Sequence, residues 1–360
     1  MQNHKRAPET KSHSGSQRCF SAMDKLDLDA HSTEESSECL HMVTNTHTAL
    51  EGHAFPASNG FIKAGSRTLP GPFIPLDKFV LEPEEVTAFQ KRCSVSIEEL
   101  MQLLVAPASL LARSPTSDFA VGAIGLGVSG RLYVGVNLEF PGLPLQHSVH
   151  AEQFLIANAA WHGERGLLRI AVNAAPCGHC RQFIAELITA ETIELAYKGH
   201  SYRLNDILVD KFCPSDLIEP GSAPLLLEQQ RNDVHLSKGA EATLQQRPEL
   251  REAAELALQS ARDSYTPYTR CPAGMALLTQ DGCVFNGGVI ESCAYNPTIN
   301  PLQAACITLA AKGKGPFSEI TGAVLVEMQA GSVSFAETER VALRALNPVI
   351  QLIVLQLEGS

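Results

Sequence analysis

The chain has 360 residues, 44% of them hydrophobic and 19% charged, a globular composition with room for two packed cores. A formal net charge of −11 without any basic run argues against a polynucleotide partner, whose binding depends on Lys and Arg displacing counterions, and favours a small uncharged ligand. No apolar run reaches the roughly 18 residues of a membrane helix, so no membrane association is expected.

Residues 1–75 are rich in Ser, Thr, His and Glu without a sustained period, and read as a disordered tail. The first residues lack an apolar h-region, and Asp24, Asp27, Asp29, Glu34, Glu35 and Glu38 soon follow. A secretory or organelle leader is therefore not expected, and the chain is assigned to the cytoplasm. From about Lys78 the pattern becomes periodic. Ile97, Leu100, Met101, Leu104 and Val105 recur at helical spacing until Pro107 interrupts them. Two β-prone runs, 119–126 and 131–137, flank a turn at Val128, Ser129 and Gly130. A loop with Pro141, Gly142 and Pro144 leads to a helix over 151–161, a strand over 168–173 and a second helix after Pro176. A buried strand is expected over 349–355. The alternation is that of an α/β fold.

The pattern then repeats. Ser114-Pro-Thr-Ser-Asp-Phe-Ala-Val-Gly122 is echoed by Thr266-Pro-Tyr-Thr-Arg-Cys-Pro-Ala-Gly274. At the same offset, Tyr133-Val-Gly-Val-Asn-Leu-Glu139 is echoed by Phe285-Asn-Gly-Gly-Val-Ile-Glu291. Each echo follows an amphipathic helix, the second lined by Leu250, Ala253, Ala254, Ala257 and Ala261. Two copies of one unit are expected, over 76–230 and 248–360, joined by a polar linker at 231–247.

Of ten cysteines, Cys177 and Cys180 form the one close pair, opening a helical pattern behind Pro176. Cysteines three apart at a helix start project to one side, and the helix N-terminus favours the thiolates that bind zinc. The others (Cys19, Cys39, Cys93, Cys213, Cys271, Cys283, Cys293 and Cys306) read as small buried residues or exposed tail thiols. No second Cys-x-x-Cys completes a four-cysteine site, so a third ligand is sought upstream. His150-Ala-Glu152 supplies it, and His-x-Glu followed by Pro-Cys-x-x-Cys is the zinc-deaminase signature. Three protein ligands leave one tetrahedral corner for water, and Glu152 remains as a proton carrier.

The runs Ser148-Val-His-Ala-Glu-Gln153 and Ala175-Pro-Cys-Gly-His-Cys-Arg-Gln182 resemble the cytidine deaminases, in particular the long two-domain kind of enteric bacteria and plants. The likeness covers roughly residues 78–360. It implies a three-layer α/β/α fold with a mixed sheet, duplicated in one chain, the first copy catalytic and the second degenerate. It implies one zinc per chain on His150, Cys177 and Cys180, with Glu152 catalytic. It further implies that Asn137 and Glu139 bind the ribose 3′-hydroxyl, that Phe119 packs on the pyrimidine, and that the Ala151 carbonyl accepts from the exocyclic amine. The implied reaction is hydrolysis of cytidine and 2′-deoxycytidine to the uridine nucleosides plus ammonia, for pyrimidine salvage, in a homodimer. The second copy fits, since Asn300-Pro-Leu-Gln303 stands where His-x-Glu would recur and no Pro-Cys-x-x-Cys follows Val324 to Met328. Two alternatives stay open: a nucleotide or polynucleotide deaminase, and a non-catalytic zinc or interaction protein.

Overall fold

The computed structural model describes residues 76–313 and 315–359; the expected tail lies outside them. The first copy runs β1 (Val80–Leu81), α1 (Pro83–Cys93), α2 (Ile97–Ser109), β2 (Gly122–Gly127), β3 (Leu132–Val136), α3 (Ala151–Trp161), β4 (Leu167–Val172), α4 (Gly178–Ile184), β5 (Glu194–Tyr197), β6 (His200–Arg203) and α5 (Leu204–Ile207). The second runs β7 (Val234–Leu236), α6 (Lys238–Gln246), α7 (Arg251–Arg262), β8 (Ala273–Thr279), β9 (Val284–Gly288), α8 (Pro301–Ala311), β10 (Ile320–Met328), α9 (Ala336–Leu346) and β11 (Gln351–Gly359).

The first sheet has the order β1-β3-β2-β4-β5-β6 and the second β7-β11-β10-β8-β9. β2 is antiparallel to β3 and β4, while β4 is parallel to β5. β8 is likewise antiparallel to β9 and β10, and β10 is parallel to β11. The block β3-β2-β4-β5 thus recurs as β9-β8-β10-β11 with every strand sense kept. The fold is a duplicated α/β unit with mixed sheets.

Two glycines show how the layers close. Gly122 pairs with Val136 and Ala123 with Gly135, so the two glycines lie on opposite faces of the sheet. A Cβ at Gly122 would sit 2.4 Å from Ser109 N, at the end of α2, and one at Gly135 would sit 2.1 Å from Ala151 O in α3. Helices cover both faces, and each approaches closer than any side chain would allow. α3 buries every residue from Ala151 to Ala159, which a helix does only when it is covered on all sides. Its outer side packs on α8, which is built the same way. One hydrophobic cluster consequently runs from the first copy, through Phe79, Phe154 and Ile184, into the second, through Ile307, Leu325 and Leu352.

Four details differ from the sequence reading. α2 continues through Pro107 to Ser109, because a proline in the last turn forfeits only one backbone hydrogen bond while Ala108 is buried. The first β-prone run becomes a strand only at Gly122, leaving Phe119 in a loop. The stretch 231–247 is no linker: β7 pairs antiparallel with β11, and α6 packs beside it. It reads as polar because β7 spans three residues and α6 buries only Ala240 and Leu244. Finally, Val349 is exposed and the last strand begins at Gln351.

Candidate metal centre

Three segments converge at the ends of β3, α3 and α4. After β3, Leu138 and Val149 exchange backbone hydrogen bonds of 2.9 Å in both directions, which brings the start of α3 back beside residues 137–139. His150 is the N-cap of α3, and its backbone N–H donates to Gln153 Oε1 at 3.2 Å. Cys177 is the N-cap of α4, with Cys180 three residues on. Arg181 fastens this turn by donating from Nε to Pro176 O at 2.8 Å and from its terminal nitrogen to Ile207 O at 2.6 Å.

The ligand atoms meet at metal-site spacing. His150 Nδ1 lies 3.2 Å from Cys180 Sγ and 3.4 Å from Cys177 Sγ, and the two sulfurs are 3.7 Å apart. Zinc bonds of ~2.3 Å to sulfur and ~2.0 Å to nitrogen, set tetrahedrally, give edges of about 3.8 Å between sulfurs and about 3.5 Å between nitrogen and sulfur. The triangle matches both. Among the described residues this is the one cluster of three His, Cys, Asp or Glu groups able to hold a metal ion. Among the described residues no fourth donor from that set joins the three.

Charge is unevenly held within the triangle. The hydrogen bond between the two sulfurs holds the Cys177 pKa down to about 3, with His150 adding to the effect against burial. Cys180 is pushed well above the ordinary thiol range, both by that bond and by burial. His150 is raised by its hydrogen bond to Cys177. Glu152, the second residue of α3 and 5% exposed, stands next to this cluster, and burial pushes its carboxyl up.

The other expected site residues lie nearby but are engaged within the chain. Asn137 accepts from Val121 N at 2.9 Å and donates to Phe119 O at 3.0 Å, so its amide spans the loop before β2. Glu139 is buried and accepts from Thr116 N at 2.8 Å, from Ser117 N at 3.0 Å and from the Ser117 hydroxyl. Burial would raise its pKa, but these donors outweigh it and hold it below the ordinary value. Phe119 is 59% exposed. Ala151 is the first residue of α3, and its carbonyl lies against Gly135. The group of Ala151 that a helix start leaves unpaired is the N–H.

In the second copy, Asn300 caps α8 as His150 caps α3, and Leu302 replaces Glu152. The Leu302 N–H donates at 3.3 Å to Glu339, a wholly buried carboxyl of α9 that burial pushes up to about 8. α9 takes the place of α4, so a carboxyl group approaches the helix start where the first copy gathers its thiols.

Two stretches, 94–195 and 204–340, match family models described as "Cytidine and deoxycytidylate deaminase zinc-binding region". Cytidine deaminase 1 of Arabidopsis thaliana is 40% identical over 285 residues, covering 75% of this chain and 94% of the relative. Cytidine deaminase of Serratia proteamaculans is 37% identical over 268 residues, covering 74% and 86%. A crystal structure of cytidine deaminase from Mycobacterium tuberculosis aligns with 32% of this chain and 96% of its own at 28% identity, with a TM-score of 0.30.

The chain belongs to the cytidine deaminase family. Zinc is the metal of that family's binding region, and the donor set of two sulfurs and one imidazole suits it. A cytidine deaminase site of this kind should take up zinc in a pH-dependent way. Both sulfurs must be thiolates to bind, and the raised pKa of Cys180 means that its proton leaves on binding. Zinc uptake by metal-free protein is therefore expected to release protons, and apparent affinity to rise with pH and fall with acid. Chelator competition across neutral pH, read beside a pH indicator, checks this; a pH-independent affinity would contradict it.

Sequence reasoning overlooked Gln153 and Gln303 as contact residues between the copies. A signal was present, because glutamine is the one residue shared by His150-Ala-Glu-Gln153 and Asn300-Pro-Leu-Gln303.

Proposed function

We propose that the chain is a zinc-dependent hydrolase that deaminates cytidine and 2′-deoxycytidine to uridine and 2′-deoxyuridine with release of ammonia. The observation that carries this reading is a buried carboxyl, Glu152, beside a three-ligand cluster with an open fourth corner. Closed structural sites use four protein ligands, which disfavours a purely structural metal.

His150, Cys177 and Cys180 would hold one zinc per chain, and the metal would supply the Lewis acidity that lowers the pKa of a reacting water toward neutrality. Glu152 accepts that water's proton and delivers it to ring nitrogen N3. As the bond from C4 to the exocyclic nitrogen breaks, Glu152 passes the second proton to the departing amine. One water is consumed, C4 gains the carbonyl oxygen, and ammonia leaves. A carboxyl raised by burial is suited to both acts, since it neither holds nor yields its proton too firmly.

Asn137 and Glu139 bind the ribose 3′-hydroxyl in this reading. After the loop bonds described above, the Asn137 amide retains one N–H and the Glu139 carboxylate one lone-pair site. Phe119 covers the pyrimidine. At Ala151 the backbone N–H, rather than the carbonyl, faces the base. The first copy ends near residue 230, and residues beyond it form the non-catalytic copy. The protein acts as a homodimer in the cytoplasm, a second chain covering exposed apolar groups such as Phe119 and Phe212. No helix among the described residues is long and apolar enough to cross a membrane.

Zinc content measured beside ammonia release from cytidine, cytidine monophosphate and a short single strand tests the assignment. Stoichiometric zinc with fastest release from the nucleoside is expected. A strong preference for the strand would make the protein a polynucleotide deaminase instead, despite its net charge of −11.

A further inference from the structure

α3 and α8 lie against each other where the two copies meet. Gln153 and Gln303, each the third residue of its helix, are both buried there. Each Oε1 accepts the N–H of its own N-cap residue, His150 at 3.2 Å and Asn300 at 2.9 Å. Each Nε2 crosses to the other copy: Gln153 donates to Pro297 O at 2.8 Å, and Gln303 donates to His147 O at 2.8 Å. The arrangement is reciprocal.

The second copy has no counterpart of His150, Glu152, Cys177 or Cys180, yet it keeps this glutamine. Its own helix does not depend on the crossing bond, since Asn300 Oδ1 caps α8 by accepting from Gln303 N at 2.8 Å. What Gln303 Nε2 serves is a carbonyl of the first copy, three residues before His150. A planar amide fixed at one end by its own helix start and at the other by the facing chain leaves that backbone little freedom.

We propose that Gln303, reaching from the degenerate copy, is a positioning residue for the zinc site: with Gln153 it latches the segment entering α3 and so sets the direction of the His150 imidazole. This rests on His150 being a zinc ligand. Supporting groups behind metal ligands typically matter about 10–100-fold for metal retention or activity.

The test uses the full-length, zinc-loaded protein. Gln303→Met keeps the side-chain length and removes the donor; Gln303→Glu, at mildly alkaline pH, keeps the acceptor for Asn300 N and also removes the donor, and decides the matter if the methionine variant does not fold. Asn300→Ala weakens the same helix without touching His147. Zinc loss to a chelator is expected to be about tenfold faster in the Gln303 and Gln153→Met variants. In those variants kcat falls while KM stays near wild type, and the absorption bands of the cobalt-substituted protein shift. Asn300→Ala should lower the melting temperature and leave zinc loss unchanged. Wild-type zinc retention in Gln303→Met, or equal effects of Asn300→Ala, would overturn the proposal. A wild-type protein without zinc would instead remove the metal-site reading, and this inference with it.

Discussion

Glu152→Gln is expected to lower kcat on cytidine by about 10⁴-fold, the upper end of what one general acid–base group contributes, while zinc stays bound at one per chain. The magnitude follows from double use. In the proposed reaction the same carboxyl takes a proton from water and later gives one to the leaving amine, so both transfers would lose their carrier. The amide keeps the shape and polarity of the side chain in its buried place, so the loss is expected without a loss of folding. Metal retention separates the roles, because the carboxyl lies outside the set formed by His150, Cys177 and Cys180. Zinc content together with single-turnover rates checks this. An unchanged deamination rate would end the proton-carrier account, and loss of zinc would make Glu152 part of the metal's support.

Much of this site was legible because its chemistry is written in short spacings. His150 to Glu152 and Cys177 to Cys180 each fall within one helical start, where local geometry alone brings side chains together. The duplication was legible too, since the two echoes keep one offset and the strand order repeats in both sheets. What stayed hidden depends on distance along the chain. The Gln303 bond to His147 spans 156 positions, and nothing local marks it. β7 was read as linker because three residues in a polar stretch acquire strand character only once β11 offers an edge. The role of the Ala151 carbonyl rests on likeness alone: a family likeness gives a residue, whereas helix direction decides which backbone group points outward.

A chain ending at residue 231 is expected to yield no soluble, zinc-loaded protein, although it would retain every proposed ligand. The first copy has no closed core of its own. α3 is buried on all sides, with the first sheet under one side and α8 over the other, and the hydrophobic cluster continues without a break into the second copy. Cutting there exposes the α8-facing side of the very helix that bears His150 and Glu152. Each Leu, Ile or Phe returned to water costs ~1.5–3 kcal/mol, so a few of them consume the whole ~5–15 kcal/mol by which a domain is stable. Polar groups add to the loss. Glu186, fully buried near the end of the cysteine helix, accepts from Tyr265 at 3.0 Å, from Tyr268 at 2.5 Å and from Cys293 N at 2.7 Å, all donors of the second copy. Truncation would strand that carboxylate, and with it the indole N–H of Trp161, which donates to Asn286 O at 3.0 Å. Expression of the 231-residue chain, followed by solubility, zinc content and ammonia release, is the measurement. A soluble, fully active product would refute the view that the degenerate copy persists as the other half of the catalytic copy's core.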